Sequence, residues 1–211
     1  RAVTRYALNK GLEVYGIYEG YKGLIEGKGS IKKFAPHDVA NILNIGGTVL
    51  YSARCVEFKQ EEYIQKAVDT CHEFGIDGIV TIGGDGTFRG ASDLCKHGIP
   101  CIGIPGTIDN DITCTDNSIG YDTAMNTVIE AVDRLRDTCE SHARCNVVEV
   151  MGRNAGYIAL ETSIALGATA VVVLEDANYN EANVIEKIKV AREAGKRNFI
   201  VIVAEGVDNY A

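Results

Sequence analysis

The sequence has 211 residues, of which 46% are hydrophobic, and its formal net charge is −8 at pH 7. This composition supplies core material for one large globular domain or two small ones. No apolar run approaches the length of a membrane span, and the negative charge argues against a nucleic-acid binder, which normally has a basic surface. We therefore expect neither a membrane nor a nucleic-acid partner, whereas a small anion could still bind to local arginines.

The seven cysteines lie at positions 55, 71, 95, 101, 114, 139 and 145, and they form no C-x-x-C pair. An odd number scattered over predicted helices and strands indicates reduced thiols in a cytoplasmic protein. The chain begins with Arg1 and stops just after a predicted strand. We therefore expect it to be a fragment of a longer protein.

Predicted helices and strands alternate along the chain. A first helix ends at Gly11, and strands are predicted at 12–18 and 48–51. The helix predicted at 61–74 carries Ile64, Val68 and Cys71 on one face. The elements that follow are a strand at 76–82, a helix at 87–97, a strand at 99–104, a helix at 121–140, a strand at 147–151, a helix at 155–166, a strand at 170–174, a helix at 181–194 and a strand at 199–204.

The runs at 171–174 and 199–203 are apolar on both faces. This pattern is typical of strands in a parallel sheet that is covered by helices on both sides. We therefore predict an α/β fold, doubly wound, with mostly parallel sheets in two similar lobes that meet near Gly120. In such folds, ligands bind at the carboxyl ends of the strands.

A glycine-rich turn follows the predicted buried strand at 79–82. Gly83, Gly84 and Gly86 surround Asp85 at the start of the next predicted helix. Backbone N–H groups and the helix dipole favour an anion there, and glycines let the backbone approach phosphate oxygens. Since Asp85 would repel a bare phosphate, we expect Mg²⁺ between them. A tight turn without a ligand is the alternative.

The loop after the strand at 99–104 is also rich in polar groups. Thr107, Asp109, Asn110 and Asp111 lie close together in its sequence. Such a cluster can supply a general base and a ligand for a metal or a water. Asp and Asn are also ordinary turn formers, so this loop alone is weak evidence.

Single charged residues follow three other predicted strands. Arg54 and Arg153 can each clamp a phosphate through two hydrogen bonds, although an arginine in solvent is the commoner case. Glu205 suits sugar hydroxyls or simply solvent. Each assignment needs the neighbouring loops to support it.

Together these loops resemble the phosphofructokinase family, specifically its ATP-dependent bacterial branch. The matching segments are GGT-x-L-x-SAR at 46–54, IGGDGT at 82–87, GIPGTIDNDI at 103–112, EA-x-DRLRDT at 130–138 and VVEVMGR at 147–153. GGDG is shared with NAD kinases and lipid kinases, whereas PGTIDND with MGR is very specific. The resemblance spans essentially the whole chain and implies a glycolytic kinase that transfers the γ-phosphoryl of ATP to the 1-hydroxyl of fructose 6-phosphate, giving fructose 1,6-bisphosphate and ADP.

The resemblance also implies the catalytic residues. Asp109 would accept the proton of the 1-hydroxyl, and Asp85 would hold Mg²⁺. Asp111 would support the metal or its water, while Thr107 and Arg153 would stabilise the phosphoryl group in flight.

Binding residues follow from the same resemblance. ATP would contact Arg54, Cys55, Gly84, Asp85, Gly86 and Thr87 in a nucleotide-binding lobe at 1–120. The sugar phosphate would contact Thr107, Ile108, Asp109, Met151, Gly152, Arg153 and Glu205, with 121–211 as the sugar-phosphate-binding lobe. Arg144 would reach the 6-phosphate bound by a neighbouring subunit of a homotetramer.

The family's opening strand and Gly-Gly-Asp turn would precede Arg1, and further sugar-phosphate ligands would follow residue 211, so we expect this chain alone to be inactive. Cys55 stands where an aromatic residue is familiar.

An effector site is implied as well, formed by Arg1, Arg5, Arg136, Gly167, Thr169 and Lys196. Thr169 replaces a glutamate that helps to hold the effector's metal, so we expect activation by ADP to be weak or absent. Gly86 and Gly106 occupy positions where pyrophosphate-dependent relatives carry Asp and Lys, which indicates ATP as the phosphoryl donor. Two alternatives stay open: another GGDGT-type kinase, acting on NAD or a lipid, or a catalytically silent regulatory subunit of the same fold.

Overall fold

The computed structural model describes residues 1–113 and 115–207, so that Cys114 and the end of the predicted second lobe, 208–211, lie outside the described residues. The chain forms two compact units. The first comprises Arg1–Thr81 and Gly86–Ile104, and the second comprises Ile82–Asp85 and Pro105–Ala211. The division differs from the one predicted near Gly120, because Ile108 packs against the core of the second unit. The binding roles of the two lobes stay a prediction.

The first unit mixes short strands with helices. Its elements are α1 (Ala2–Asn9), β1 (Tyr15–Ile17), α2 (Tyr21–Glu26), β2 (Ile31–Lys33), two single 3₁₀ turns (Pro36–Val39 and Glu57–Lys59) and α3 (Glu61–Glu73). It also contains most of β3 (Ile79–Gly83), α4 (Asp85–Lys96) and β4 (Cys101–Pro105), of which Ile82, Gly83, Asp85 and Pro105 belong to the second unit. β1 pairs with β2, and β3 with β4. The apolar face predicted for α3 is buried against Leu24 and Leu94, which confirms its amphipathic pattern.

Two predictions for this unit are wrong. Residues 48–51 form a turn and not a strand, because Tyr51 N–H bonds to the Thr48 carbonyl at 3.2 Å and Tyr51 has φ +59°. The strand β3 is present, but Val80 and Ile82 are exposed by 44% and 59%. Alternate residues of a strand face opposite sides, and only the side of β3 that carries Thr81 is buried.

The second unit is built around a parallel sheet. Its elements are α5 (Tyr121–His142), β5 (Cys145–Val150), α6 (Tyr157–Leu166), β6 (Ala170–Val172), α7 (Glu181–Glu193) and β7 (Phe199–Ala204). The strand order is β5-β7-β6, with both pairs parallel.

Every residue of the central strand β7 is buried. Ile200 and Ile202 pack in a cluster with residues of α5 and α6. Val201 and Val203 pack on the other side, in a cluster that includes Val184 of α7. Helices therefore cover both faces, which confirms the predicted α/β class and explains why β7 is apolar at every position.

The register of this sheet fixes which loops are neighbours. Val150, the last residue of β5, lies opposite Ala204, the last residue of β7. The segments that begin at Met151 and Glu205 therefore leave the sheet side by side at its carboxyl edge. Within the described ranges, no helix is both long and apolar enough to cross a membrane.

Candidate active site

One carboxylate connects the two segments that leave the sheet. Glu205 Oε1 accepts a hydrogen bond from the backbone N–H of Gly152 at 3.3 Å and another from the N–H of Arg153. The Glu205 N–H itself bonds to the Val150 carbonyl at 2.9 Å. Glu205 therefore fixes the backbone of the MGR segment, a role that its predicted contact with the sugar did not include.

The backbone of the MGR segment has an unusual conformation. Gly152 has φ +155°, and a Cβ added there would lie 2.4 Å from the Ala155 carbonyl oxygen, so only glycine fits. Arg153 has φ +55°, a left-handed conformation that costs a non-glycine residue about 1–2 kcal/mol. The hydrogen bond that the Arg153 N–H donates to Glu205 helps to offset that cost, and the Arg153 side chain remains exposed.

The loop after β4 is held by a residue that the sequence did not single out. Ser118 is 4% exposed, and its hydroxyl donates to the Thr107 carbonyl at 2.7 Å. The Ser118 N–H donates to Asn110 Oδ1 at 2.9 Å, and Asn110 Nδ2 donates to the Asp116 carbonyl at 3.1 Å. Asn110 itself has φ +53°, a conformation that Asn tolerates better than most residues. The Asn110 side chain thus closes the loop instead of facing a ligand.

The glycine-rich turn and this loop touch within the second unit. The Gly106 N–H donates to the Gly83 carbonyl at 3.0 Å. A Cβ added to Gly84 would lie 3.5 Å from Thr107 Cβ, so Gly84 faces Thr107 at close range. Asp85, the first residue of α4, therefore begins its helix next to the loop that carries Thr107 and Asp109.

The Asp109 carboxyl has the most perturbed electrostatics at this edge. Burial raises its pKa above the ordinary value of 3.8, and the negative charges of Asp111 and Glu205 raise it further. Arg153 and a hydrogen bond with Thr107 oppose that rise. Asp111, Thr107, Arg153 and Glu205 therefore lie near enough to Asp109 to influence its pKa, and the catalytic roles of these residues stay a prediction.

These side chains fit Mg²⁺ bound together with a phosphate ligand. Among residues 1–113 and 115–207, no three His, Cys, Asp or Glu side chains are arranged as a metal site. Mg²⁺ commonly uses only one or two protein carboxylates, with waters and substrate phosphates completing its coordination. The repulsion that raises the pKa of Asp109 also indicates a local excess of negative charge, which a divalent cation would relieve.

Other predicted ligands lie outside this cluster. Arg54, Cys55, Gly86 and Thr87 belong to the first unit. Arg54 is exposed, whereas Cys55 packs against the core of that unit. Their contacts with a nucleotide stay a prediction.

The remaining predicted sugar ligands have different environments. Ile108 packs against the core of the second unit. Met151 is 62% exposed beside Gly152. Arg144 is exposed and lies just before β5, at the amino edge of the sheet, where its carbonyl accepts a hydrogen bond from the Phe199 N–H at 3.2 Å. Arg144 therefore does not join Asp109 within this chain.

Four predicted effector residues are grouped in the second unit. Arg136 Nη2 donates to the Leu166 carbonyl at 2.7 Å, directly before Gly167, which ends α6 with φ +58°. Lys196 Nζ donates to Thr169 Oγ1 at 3.3 Å. Arg1 and Arg5 belong to the first unit, one turn apart at the start of α1.

A comparison with protein-family models matches residues 1–211 to the model described as Phosphofructokinase. A relative from Shouchella clausii named ATP-dependent 6-phosphofructokinase is 54% identical over 98% of this chain and 64% of its own length. The protein of the same name from Bacillus subtilis is 52% identical with the same coverage. This chain thus spans 64% of the length of these relatives.

The fold agrees with that result. The solved structure of phosphofructokinase from Saccharomyces cerevisiae matches with a TM-score of 0.89 and 36% identity, covering 98% of this chain and 31% of that one. The family match over the full chain and the identity to these relatives confirm the resemblance carried by the PGTIDND and MGR segments. The chain belongs to the phosphofructokinase family.

Proposed function

We propose that the protein is a 6-phosphofructokinase that transfers the γ-phosphoryl of ATP to the 1-hydroxyl of fructose 6-phosphate. The products are fructose 1,6-bisphosphate and ADP. The proposal rests mainly on the Asp109 carboxyl, whose pKa is raised and which lies near Arg153. The relatives that match this chain are named ATP-dependent 6-phosphofructokinase.

Asp109 acts as the general base. A carboxylate with a raised pKa is a better proton acceptor at neutral pH than an ordinary aspartate. Burial and the charges of Asp111 and Glu205 cause this rise. The proton of the sugar 1-hydroxyl passes to a carboxylate oxygen of Asp109 as the hydroxyl oxygen attacks phosphorus.

Arg153 and Thr107 stabilise the charge of the phosphoryl group during transfer. Phosphoryl transfer depends mainly on positioning and on neutralising this charge. Glu205 contributes indirectly, since it fixes the backbone N–H groups of Gly152 and Arg153. Gly152 gives the segment a conformation that no other residue could adopt without moving Ala155.

Asp85 holds Mg²⁺ together with the phosphates of ATP, and Asp111 supports the metal or its water. The bound Mg²⁺ supplies positive charge that partly neutralises the phosphate oxygens. Asp85 begins α4, and the N-terminus of a helix favours an anion.

The remaining contacts follow the assignments made from the sequence. Gly84, Gly86, Thr87, Arg54 and Cys55 contact ATP. The sugar phosphate contacts Ile108, Met151 and Gly152 together with Glu205. Arg144, which lies away from Asp109 in this chain, reaches the 6-phosphate bound by a neighbouring subunit of a cytoplasmic homotetramer.

An effector anion binds near Arg136, Gly167, Thr169 and Lys196, with Arg1 and Arg5 supplying further positive charge. The hydrogen bonds of Arg136 to the Leu166 carbonyl and of Lys196 to Thr169 support this grouping for four of the six residues. Since Thr169 has no carboxylate for a metal, ADP with Mg²⁺ binds weakly.

The test uses a polypeptide that contains this chain and extends to the full length of the relatives. ADP release is measured with ATP and Mg²⁺ against fructose 6-phosphate, NAD and a diacylglycerol as separate acceptors. Of the three acceptors, we expect only fructose 6-phosphate to cause ADP release. Release with NAD or the lipid instead would favour another GGDGT-type kinase, and no release with any acceptor would favour a silent regulatory subunit. The 211-residue chain, assayed in parallel, is expected to be inactive.

A further inference from the structure

We propose that Cys95 and Cys101 form a dithiol site that a peroxide converts to an intramolecular disulfide. The site lies in the first unit, where the last turn of α4 faces the start of β4. It does not depend on the kinase activity proposed above.

The packing of α4 against β4 places the two thiols opposite each other. A Cβ added to Gly103 would lie 2.7 Å from Phe88 Cε1, so Gly103 faces α4 at Phe88. Cys101 is two residues before Gly103 and lies on the same face of β4. Cys95 is two helical turns after Phe88 and lies on the same side of α4.

The direction of the two elements completes this match. A short turn joins them, and the Ile99 N–H bonds to the Leu94 carbonyl at 3.0 Å. Consecutive packed elements joined in this way run in opposite directions. Since β4 runs antiparallel to α4, residues that precede Gly103 in β4 lie beside residues that follow Phe88 in α4. Cys101 therefore lies next to Cys95.

The local electrostatics agree with this contact. The pKa of Cys101 is raised to about 12, first by desolvation and then by the charge of Cys95 and a hydrogen bond with its thiol. The Cys101 thiol also donates to the Ile99 carbonyl at 3.4 Å. Both thiols influence the hydroxyl of Tyr21, which places the three groups in one cluster.

The two cysteines differ in accessibility. Cys95 is exposed and Cys101 is half-buried, and both are free thiols. An oxidant in solution therefore reaches Cys95 first. Cys101 then resolves the oxidised sulfur from the protein side.

The chemistry is balanced by one equivalent of peroxide. The Cys95 thiolate attacks a peroxide oxygen, the O–O bond breaks, and the leaving hydroxide takes a proton to become water, which leaves Cys95 as a sulfenic acid. Cys101 sulfur, losing its proton, attacks Cys95 sulfur, the S–O bond breaks, and a second water leaves. Two thiols are oxidised by two electrons, and hydrogen peroxide is reduced to two waters.

Two other thiol neighbours provide internal comparisons. Cys71 also influences the pKa of Cys101 but is completely buried. Cys145 is exposed and has the completely buried Cys139 as its neighbour. A buried thiol is poorly placed to react with a solvent oxidant, so the exposed and half-buried pair is favoured.

The experiment treats the folded 211-residue chain with a small excess of hydrogen peroxide, blocks free thiols, and analyses tryptic peptides by mass spectrometry without reduction. Trypsin separates the two cysteines after Lys96, so the disulfide joins peptide 90–96 to peptide 97–134. Peptide 97–134 also contains Cys114, so the same experiment is run on Cys114→Ser.

We expect the joined peptide in the unmodified chain and in Cys114→Ser, and its loss in both Cys95→Ser and Cys101→Ser. Cys145→Ser serves as the matched control and should retain the joined peptide. Circular dichroism confirms that each variant is folded. The proposal would be overturned if Cys95 and Cys101 stay free after a treatment that oxidises other thiols. A disulfide between Cys101 and Cys71 would overturn it as well.

Discussion

The backbone N–H of Arg153 donates a hydrogen bond to Glu205 Oε1, and this bond joins the segments that follow the adjacent strands β5 and β7. The bond holds Arg153 in a left-handed conformation with φ +55°. It also keeps the Glu205 carboxylate close enough to Asp109 to raise the pKa of that carboxyl. One contact therefore shapes both the backbone and the electrostatics of the candidate active site.

Replacing Asp109 by Asn should make the 211-residue chain more stable at neutral pH. The pKa of Asp109 is raised in the folded state, so ionisation of this group costs stability at every pH above that raised value. We expect the melting temperature of Asp109→Asn to exceed that of the unmodified chain at pH 7.

The difference should shrink as the pH falls through the raised pKa, and it should vanish below the ordinary value of 3.8. Calorimetry at several pH values measures it. Asp137→Asn, which removes an exposed carboxylate from α5, serves as the control and should leave the melting temperature at pH 7 near that of the unmodified chain. A lower melting temperature for Asp109→Asn at pH 7 would contradict this prediction.

Replacing Ser118 by Ala should destabilise the loop that carries Asp109. The Ser118 hydroxyl is buried and donates to the Thr107 carbonyl, and removing such a donor costs about 1–3 kcal/mol. For a chain of this size, the melting temperature should fall by about 2–8 °C.

Thermal unfolding followed by circular dichroism measures the change. Ser141→Ala removes an exposed hydroxyl that donates to a helix carbonyl, and it should have little effect. Equal melting temperatures for the two variants would show that the Ser118 hydroxyl does not support the loop.

Most of the second unit could be predicted from sequence, because β7 is apolar at every position and the long helix α5 is amphipathic. The burial of β3 was harder to predict. Val80 and Ile82 are as apolar as buried residues, but whether a helix covers that face depends on tertiary packing that no local pattern encodes.

The candidate site shows the same limit. The carboxylates of Asp109 and Asp111 have an unusual spacing, whereas Ser118 is a small polar residue without any motif of its own. Its role depends on a fold-back of the loop that brings Ser118 to Thr107. The use of Glu205 to bind backbone N–H groups likewise depends on strand register.

Adding a carboxylate at Gly86 should weaken the use of ATP by the full-length protein. The space around Gly86 is open, so Gly86→Asp should fold normally while its charge repels the nucleotide phosphates. We expect kcat/KM for ATP to fall at least ~10-fold, which corresponds to a loss of roughly 1.4 kcal/mol.

Initial rates at varied ATP measure this effect. Ser92→Asp adds the same charge at an exposed position farther along α4 and should leave kcat/KM near its original value. Turnover of the unmodified protein with pyrophosphate that equals or exceeds turnover with ATP would overturn the assignment of the donor.

Restoring a carboxylate at position 169 should increase activation by ADP. Thr169 now accepts a hydrogen bond from Lys196 and offers no carboxylate to a metal. In the full-length protein, ADP should shift the saturation curve for fructose 6-phosphate only a little. In Thr169→Glu, ADP should shift this curve to lower fructose 6-phosphate concentrations.

The response of the unmodified protein to ADP tests whether position 169 limits activation. A strong shift with ADP that is abolished by Arg136→Ala would show that position 169 does not limit activation.

The role of Asp109 as the general base is tested by measuring kcat of the full-length protein. Initial rates of ADP release are measured for the unmodified protein, Asp109→Asn, Asp109→Ser and, as a matched control, the exposed Asp116→Asn. We expect both Asp109 variants to lose at least ~10²-fold in kcat, with much smaller changes in the KM values, while Asp116→Asn stays near the unmodified rate. A kcat close to that of the unmodified protein in either Asp109 variant would contradict the claim.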